Sequence, residues 1–331
     1  MTDLSVKFCG VQFDNPLVNA SGILGITGAS LANVGRNGAG GVTTKSLWLS
    51  EHVGHKSPVI IANDYYMLNA VGLPDGGLEK AQSEINHFIE LRREFLKDFK
   101  AGSNDAVGKN AQARKRKYLP LIANIVAGKV EDFENIAREI ACLEPDIIEV
   151  NISCPNVESE LGKPFACVAA DAATVTRHVK KVVGNIPVTV KLSPNVEDIV
   201  SIARAVVDAG ADALTLINTA GPGMAINIET RMPILTNRVG GLSGAALKPL
   251  AIKIIHDVHR ALPNIPIIGT GGVLSGQDAL EMMIAGATLV GIGTGIALRG
   301  VEIFDLALRE MADWCEENGV EKVSDVIGTV K

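Results

Sequence analysis

The sequence predicts one α/β domain, a (β/α)8 or TIM barrel, and three observations favour that fold. Short apolar runs alternate with amphipathic stretches along the whole chain. Most of these runs are apolar throughout, as expected of parallel strands covered on both faces. The 331 residues, 34 of them glycine, suit a single barrel with many tight turns. An open doubly wound sheet is the alternative architecture.

Eight strands and seven helices are predicted in alternation. The predicted strands are residues 17–20, 41–44, 119–124, 146–151, 187–192, 213–218, 265–269 and 289–293. The predicted helices are residues 77–97, 130–142, 168–183, 196–209, 245–262, 275–285 and 301–318. Asn195 and Ser275 have side chains suited to helix N-caps, and Gly210, Gly286 and Gly319 stand where glycine ends a helix.

Residues 92–117 interrupt this alternation between the second helix of the barrel and its third strand. The segment is polar and rich in lysine and arginine, so we expect a surface insertion outside the barrel core. A docking surface for an acidic or redox partner is the alternative. Nothing else divides the chain, so residues 1–331 are expected to form one domain.

Composition excludes several classes of protein. The net charge of -6 argues against a nucleic-acid-binding surface. No apolar run approaches the roughly 20 residues of a membrane span, and the first ten residues do not resemble a signal peptide. The five cysteines are odd in number and form no C-x-x-C pair, which argues against a disulfide framework, a metal site or an iron–sulfur cluster within the chain. We therefore expect a cytoplasmic protein with no membrane partner.

Polar residues or glycines gather where the apolar runs end. They are Ser21, Lys45, Asn124, Asn151, Lys191, Asn218, Thr219, Gly271, Gly272, Gly293 and Thr294. The carboxyl ends of all strands in a (β/α) barrel face one mouth, where active sites are built. The pattern predicts one shared site, although any one of these residues could simply belong to a turn.

Two glycine motifs, GTGGV at 269–273 and GIGTG at 291–295, predict a phosphate-binding site. Glycine lets the backbone approach a phosphate closely, and phosphate sites after the last two strands are common in such barrels. Neither motif matches a P-loop or a Rossmann dinucleotide fingerprint. The phosphate of flavin mononucleotide (FMN) fits, while tight turns alone remain the alternative.

The most specific stretch is NISCPN at residues 151–156. Most cysteines are buried and inert, but Cys154 is flanked by Asn151 and Asn156. With Asn69 and Asn218, these amides could hold a flat cyclic imide or ureide. Lys45 and Lys191 could pair with a substrate carboxylate and with a reduced flavin ring.

The ordered motifs resemble those of class 1 dihydroorotate dehydrogenases. They are DNPLVNASG, TTKS, NAVGLPD, ANI, EVNISCPNV, VKLSPN, INTAGPG, GGLSG, GTGG and IGTG. The resemblance runs from about Val6 to the C-terminus, is closer to a 1B catalytic subunit than to 1A, and leaves 92–117 as an extra segment. Class 2 enzymes differ in having an N-terminal helical extension and a serine base.

The resemblance implies specific ligand contacts. FMN would contact Ser21, Lys45, Ser46, Asn124, Asn151, Lys191, Ile217, Gly244, Gly271, Gly272, Gly293 and Thr294. Orotate would be surrounded by Lys45, Asn69, Val71, Gly72, Leu73, Asn151, Asn156, Asn218 and Thr219.

The implied reaction is oxidation of (S)-dihydroorotate to orotate in de novo pyrimidine (UMP) biosynthesis, with Cys154 as the base at C5 and hydride transfer from C6 to FMN. The implied assembly is a homodimer, joined in 1B enzymes by a separate iron–sulfur/FAD subunit. The electron acceptor is left open among fumarate, NAD reached through a partner, and quinone. Alternatives are a dihydropyrimidine dehydrogenase-type barrel, a non-catalytic barrel binding a phosphorylated metabolite, and an aldolase using Lys191 as a Schiff base.

Overall fold

A computed structural model describes residues 2–100, 118–153 and 164–331, and it confirms the predicted barrel. Eight parallel strands follow one another around a single sheet in chain order. A bridge between Val18 and Gly41 joins the first strand to the second and closes the ring. The strands are β1 Leu17–Asn19, β2 Val42–Thr43, β3 Leu121–Ile125, β4 Ile147–Asn151, β5 Val188–Lys191, β6 Ala213–Leu216, β7 Ile267–Thr270 and β8 Leu289–Ile292.

Nine helices are described around this sheet. They are α1 Gly28–Arg36, α2 Leu78–Lys100, α3 Val130–Ala141, α4 Ala169–Val182, α5 Ile199–Asp208, α6 Lys248–Ala261, α7 Gly276–Ala285, α8 Thr294–Arg299 and α9 Ile303–Glu317. All seven predicted helices are present, and α1 and α8 were not predicted. The amphipathic pattern of α3 shows why the helices pack: Phe133, Ile136, Ala137 and Ile140 form one fully buried stripe.

Helix α1 was missed because its sequence has two glycines, which lower helix propensity. Packing explains one of them, since a Cβ on Gly28 would lie 2.6 Å from the backbone nitrogen of Phe88 in α2. A reciprocal capping box between Thr27 and Ser30 begins the helix. Tertiary contact and capping therefore outweigh the weak propensity.

One predicted cap is wrong. Helix α5 begins after Asp198, whose side chain accepts a hydrogen bond from the Ser201 backbone. Asn195 instead accepts a 2.9 Å bond from the Gly221 backbone and so joins two loops. The predicted cap at Ser275 is confirmed, because its side chain accepts from the Asp278 backbone. Glycines 210, 286 and 319 all have positive φ directly after helices, as predicted.

A second, antiparallel sheet was not predicted. Its strands are Ile60–Ala62 and Met67–Asn69, from the β2–α2 connection, and Ala220–Gly223 and Gly240–Ser243, from the β6–α6 connection. Both connections leave the C-terminal ends of barrel strands, so this sheet lies on the face where ligands bind. Shorter pairs join Val6–Phe8 to Val11–Phe13 and Ile226–Asn227 to Met232–Pro233.

Segment 92–117 does lie between α2 and β3, but its first residues belong to the helix. Helix α2 continues to Lys100. The Arg92 guanidinium donates to the Leu119 carbonyl at 3.1 Å and lies 3.5 Å from the Asp146 carboxylate, and Phe95 is buried. Residues 92–100 therefore belong to a helix that contacts neighbouring elements, and the surface position of the segment as a whole stays a prediction. Residues 101–117 lie outside the described residues.

Within the described part of the chain, no helix is both long and apolar enough to cross a bilayer.

Candidate active site

The carboxyl ends of the barrel strands carry the predicted site residues. Asn124 lies in β3, while Asn151 and Lys191 are the last residues of β4 and β5. The others follow β1, β2, β6, β7 and β8; they are Ser21, Lys45, Ser46, Ile217, Asn218, Thr219, Gly271, Gly272, Gly293 and Thr294. The predicted base Cys154 and the predicted substrate ligand Asn156 lie outside the described residues.

A hydrogen-bonded cluster joins three of these strand ends. Asn151 Oδ1 accepts from Ser153 Oγ at 2.9 Å, and Asn151 Nδ2 donates to Ser46 Oγ at 3.2 Å. Ser153 Oγ also accepts from Asn218 Nδ2 at 2.9 Å. The side chains that precede Cys154 in sequence are therefore held in one polar network spanning β2, β4 and β6.

Lys191 is a buried cation with 5% of its surface exposed. Among the described residues its ammonium has no hydrogen-bond or ion-pair partner. It lines a cavity of about 10 Å³, room for roughly one water molecule, together with Ser21, Glu149 and Thr215. Buried charges in proteins are normally paired, so this ammonium is suited to a ligand carrying or acquiring negative charge.

Lys45 is the second buried cation of the mouth. Its Nζ donates to the Pro74 carbonyl at 2.7 Å. Burial lowers the pKa of the ammonium, and the nearby Asp75 carboxylate opposes that shift. The hydrogen bond to Pro74 places Lys45 between the barrel and the loop that carries the predicted orotate contacts.

That loop is fixed by backbone contacts. Asn69 ends the strand Met67–Asn69 and pairs with Gly241 on one side and Ile60 on the other. Farther along, the Leu73 carbonyl accepts from Trp48 Nε1 at 3.1 Å. Gly72 has a φ of +72°, and a Cβ there would lie 2.7 Å from the His55 backbone nitrogen. Val71, Gly72 and Leu73 are therefore presented on a loop with little freedom to move.

The predicted phosphate site brings three loops together. Gly244, Gly271 and Gly272 all have positive φ, and a Cβ on Gly272 would lie 2.9 Å from the Gly244 carbonyl. Thr294 Oγ1 donates to Ser243 Oγ at 2.9 Å, which adds the start of α8. Such closely packed glycines leave backbone groups unobstructed by side chains, as a phosphate requires.

The residues present fit a ligand with a polar edge. Ser21 Oγ and Asn124 Oδ1 are buried oxygen atoms without a hydrogen-bond partner among the described residues. Buried polar atoms are rarely left unpaired in proteins. Ser21 lines the same cavity as the unpaired Lys191 ammonium, and Asn124 bonds to Glu149, which also lines it, so a ligand is expected to complete the site.

Part of this network was not predicted from the sequence. Glu149 is buried within β4, where its carboxylate accepts from Asn124 Nδ2 and from Thr215 Oγ1. Ser153 was also missed, although it bridges two predicted ligands. The signal for Glu149 was present, because an acidic residue interrupts the apolar run of β4.

Comparison with known proteins decides the family. The family model described as dihydroorotate dehydrogenase matches residues 3–314. The chain belongs to the dihydroorotate dehydrogenase family. A relative from Methanosarcina acetivorans is 40% identical over 96% of this chain and 93% of its own length. Relatives from Methanocaldococcus jannaschii and a Geobacter species are each 39% identical over at least 97% of both chains.

All three relatives are named dihydroorotate dehydrogenase B (NAD(+)), catalytic subunit. These names confirm the resemblance to class 1B. The dihydroorotate dehydrogenase family consists of oxidoreductases that generally use flavin, and the matched region contains every predicted site residue.

Proposed function

We propose that this chain oxidises (S)-dihydroorotate to orotate with FMN as its cofactor, as a step of de novo UMP synthesis. The observation that carries the proposal is the polar cluster of Asn151, Ser153 and Asn218 at the mouth of a dihydroorotate dehydrogenase-family barrel. A cluster of amides next to two buried lysines suits a planar imide ring with one carboxylate.

Different residues of the chain would bind different parts of FMN. The glycine loops and Thr294 would hold the phosphate, while Lys191, Asn124 and Ser21 offer a cation and two oxygen atoms to the polar ring. The remaining proposed contacts are Lys45, Ser46, Asn151 and Ile217. When bound, FMN supplies the acceptor for the hydride that leaves C6 of the substrate. The Lys191 ammonium stabilises negative charge that develops on the ligand beside it.

Lys45 is the proposed partner of the dihydroorotate carboxylate. Its ammonium is desolvated, so a charge pair formed there is stronger than one in water. The amides of Asn69, Asn151, Asn156 and Asn218 would hold the imide edge by complementary hydrogen bonds. The loop residues Val71, Gly72 and Leu73, together with Thr219, would enclose the ring.

Cys154 is the proposed base. Oxidation removes a proton from C5 and a hydride from C6, leaving a C5=C6 double bond in orotate. A thiolate at residue 154 would take the C5 proton, and neighbouring cationic or amide groups would favour the thiolate. Cys154 directly follows Ser153 in sequence, and Ser153 is fixed by Asn151 and Asn218.

Partners are proposed from the names of the relatives and from the resemblance to 1B enzymes. Because the relatives are named catalytic subunits of an NAD(+) enzyme, we propose that this chain works with a separate subunit. From the resemblance alone we propose that the chain forms a homodimer and that the separate subunit carries iron–sulfur and FAD groups. A cytoplasmic location remains a prediction from the odd number and irregular spacing of the cysteines. Cys9, Cys142 and Cys315 are not in disulfides.

The proposal is tested with purified protein. We expect a yellow protein containing FMN whose absorbance is bleached by dihydroorotate, and turnover with fumarate, NAD and quinone is measured separately on the isolated chain. Dihydrouracil, which lacks the carboxylate, serves as the control substrate and should bleach the flavin far more slowly. A colourless protein, or equal bleaching by dihydrouracil, contradicts the proposed substrate and cofactor.

A further inference from the structure

Below the proposed FMN site, four side chains from neighbouring strands form a buried chain of hydrogen bonds. Asn124 of β3, Glu149 of β4 and Thr189 of β5 lie opposite one another in the strand register. Asn124 Nδ2 donates to Glu149 Oε1, and Thr215 Oγ1 of β6 donates to Glu149 Oε2 at 2.6 Å. The Thr189 and Thr215 hydroxyls are 3.1 Å apart. At most 3% of the surface of each of the four residues is exposed.

The chemistry of Glu149 fixes the direction of every bond in this chain. A carboxylate only accepts hydrogen bonds, so Asn124 must turn its amino group toward Glu149. Thr215 has one proton and gives it to Glu149, so Thr189 must donate to Thr215. An isolated asparagine amide could turn either end toward a ligand. The hydrogen bond to Glu149 instead determines the orientation of the Asn124 amide.

The consequence concerns the other end of the Asn124 amide. Its Oδ1 is the atom left without a hydrogen-bond partner among the described residues. Glu149 lines the same small cavity as Ser21 and Lys191. In the proposed FMN site Asn124 contacts the flavin ring. A carbonyl oxygen at position 124 attracts a ring N–H and repels a ring carbonyl, whereas an amino group would do the reverse.

We propose that Glu149 is a positioning residue that fixes the Asn124 amide so that its oxygen, and not its amino group, is offered to the flavin ring. The role rests on the proposed FMN site and adds to it a residue that acts through the Asn124 amide. Glu149 determines which hydrogen-bonding edge of the ring the site accepts.

A reciprocal exchange tests this role. In N124D, two carboxylates face each other where the native pair shares a hydrogen bond, so the acceptor is mispositioned and we expect FMN to bind about tenfold more weakly. In E149Q, the neutral amide can donate or accept, so the Asn124 orientation is no longer unique and FMN affinity should fall about threefold. In the double variant N124D/E149Q, the introduced glutamine can donate to the introduced aspartate and accept from Thr215. The bond between positions 124 and 149 is then reversed, but every group is paired again and position 124 still offers an acceptor oxygen. The FMN affinity of the double variant should therefore return to within about threefold of the wild type and exceed that of E149Q.

The FMN dissociation constant is measured by diluting each holoprotein and following the fluorescence of released FMN. The unfolding midpoint, followed by circular dichroism, is recorded in parallel as a measure of structure. Thr189→Val is the matched control, because it removes the last donor of the chain while leaving the bond between Glu149 and Asn124, and it should bind FMN within about twofold of the wild type.

Three results would overturn the proposal. The first is wild-type FMN affinity in N124D. The second is a double variant whose unfolding midpoint recovers while its FMN affinity does not, because Glu149 would then serve only the fold. The third is weaker FMN binding by the double variant than by E149Q, a comparison that holds even if N124D fails to fold. A wild-type protein that binds no FMN contradicts the proposed function itself and is thereby distinguished from these outcomes.

Discussion

Replacing Lys45 with methionine separates the proposed carboxylate-binding role of this residue from its structural role. Methionine is similar in length and apolar, so it fills the buried space while removing the charge. The Lys45 side chain is 8% exposed, and its one described hydrogen bond runs to the Pro74 carbonyl at 2.7 Å. The protein loses that bond but no longer buries an ammonium, so we expect the unfolding free energy to change by about 1 kcal/mol or less.

The effect on ligand binding should be much larger. A hydrogen bond between a desolvated ammonium and a carboxylate contributes about 1.5–3 kcal/mol. Since about 1.4 kcal/mol corresponds to a factor of ten, K45M should bind orotate roughly 10- to 150-fold more weakly than the wild type.

The same lysine should give orotate binding a characteristic pH dependence. Burial lowers the pKa of Lys45 below its ordinary 10.5. Orotate affinity should therefore fall as the pH rises through this lowered value, at a pH where an exposed lysine is still charged. The free energy of unfolding depends on pH in the opposite sense. The stability that Lys45 contributes through its lowered pKa is fully present above about pH 10.5, the ordinary value. It is lost as the pH falls through the lowered pKa of the folded protein.

Orotate titration, followed by flavin absorbance, measures these effects. Lys80 is the matched control because it lines the same cavity as Lys45 but is exposed on α2. K80M makes the same change in net charge and should bind orotate within about twofold of the wild type. Equal dissociation constants for K45M and K80M would refute the assignment of the carboxylate to Lys45.

Three further variants test other parts of the proposal. Cys154→Ala should retain FMN but lose about 10²- to 10⁴-fold in the rate of flavin reduction by dihydroorotate. Cys154→Ser should keep slight activity shifted to higher pH. Wild-type reduction rates in the alanine variant exclude the proposed base. Gly272→Ala should destabilise the fold by about 1–3 kcal/mol and release FMN. The reason is that φ is +83° at this residue and the new Cβ would lie 2.8 Å from the Lys248 backbone nitrogen. Normal FMN content in this variant refutes the proposed placement of the phosphate. A short glycine–serine link in place of residues 101–116 should leave FMN content and flavin reduction by dihydroorotate intact. If an acidic partner docks at this segment, the replacement should slow only the reoxidation of the flavin. Loss of FMN contradicts a surface role for the segment.

The barrel could be predicted from the sequence because its strands are apolar throughout and each ends at a recognisable turn. The run before Asn151, for example, indicates both a buried parallel strand and the point where it reaches the mouth. Helix α1 and the strand Met67–Asn69 could not be predicted in the same way. The first depends on contact with α2, and the second on pairing with Gly240–Ser243, which is remote in sequence.

The sequence predicted which residues lie together at the site, but it did not predict which of them pair with one another. Ser21, Lys45 and Lys191 could be placed at strand ends from the chain alone. Whether a buried lysine is paired depends on side-chain positions across the barrel, as Lys191 illustrates. Glu149 was missed because a site in such a barrel is signalled by polar residues after the strands, whereas this carboxylate points into the barrel from within one.

The pairing of Met67–Asn69 with Gly240–Ser243 also constrains how the protein can fold. The two strands are joined through Leu68 and Leu242, and the barrel strands β3 to β6 lie between them in the chain. Contacts so distant in sequence form slowly, because closing a long loop costs conformational entropy before the contacts can offset it. During synthesis, the loop with Asn69 leaves the ribosome early. It cannot pair with Gly240–Ser243 until that strand, which follows β6 in the chain, has also been synthesised. The binding site is therefore completed late in folding, and a nascent chain gains protection from its ligands only after most of the barrel exists.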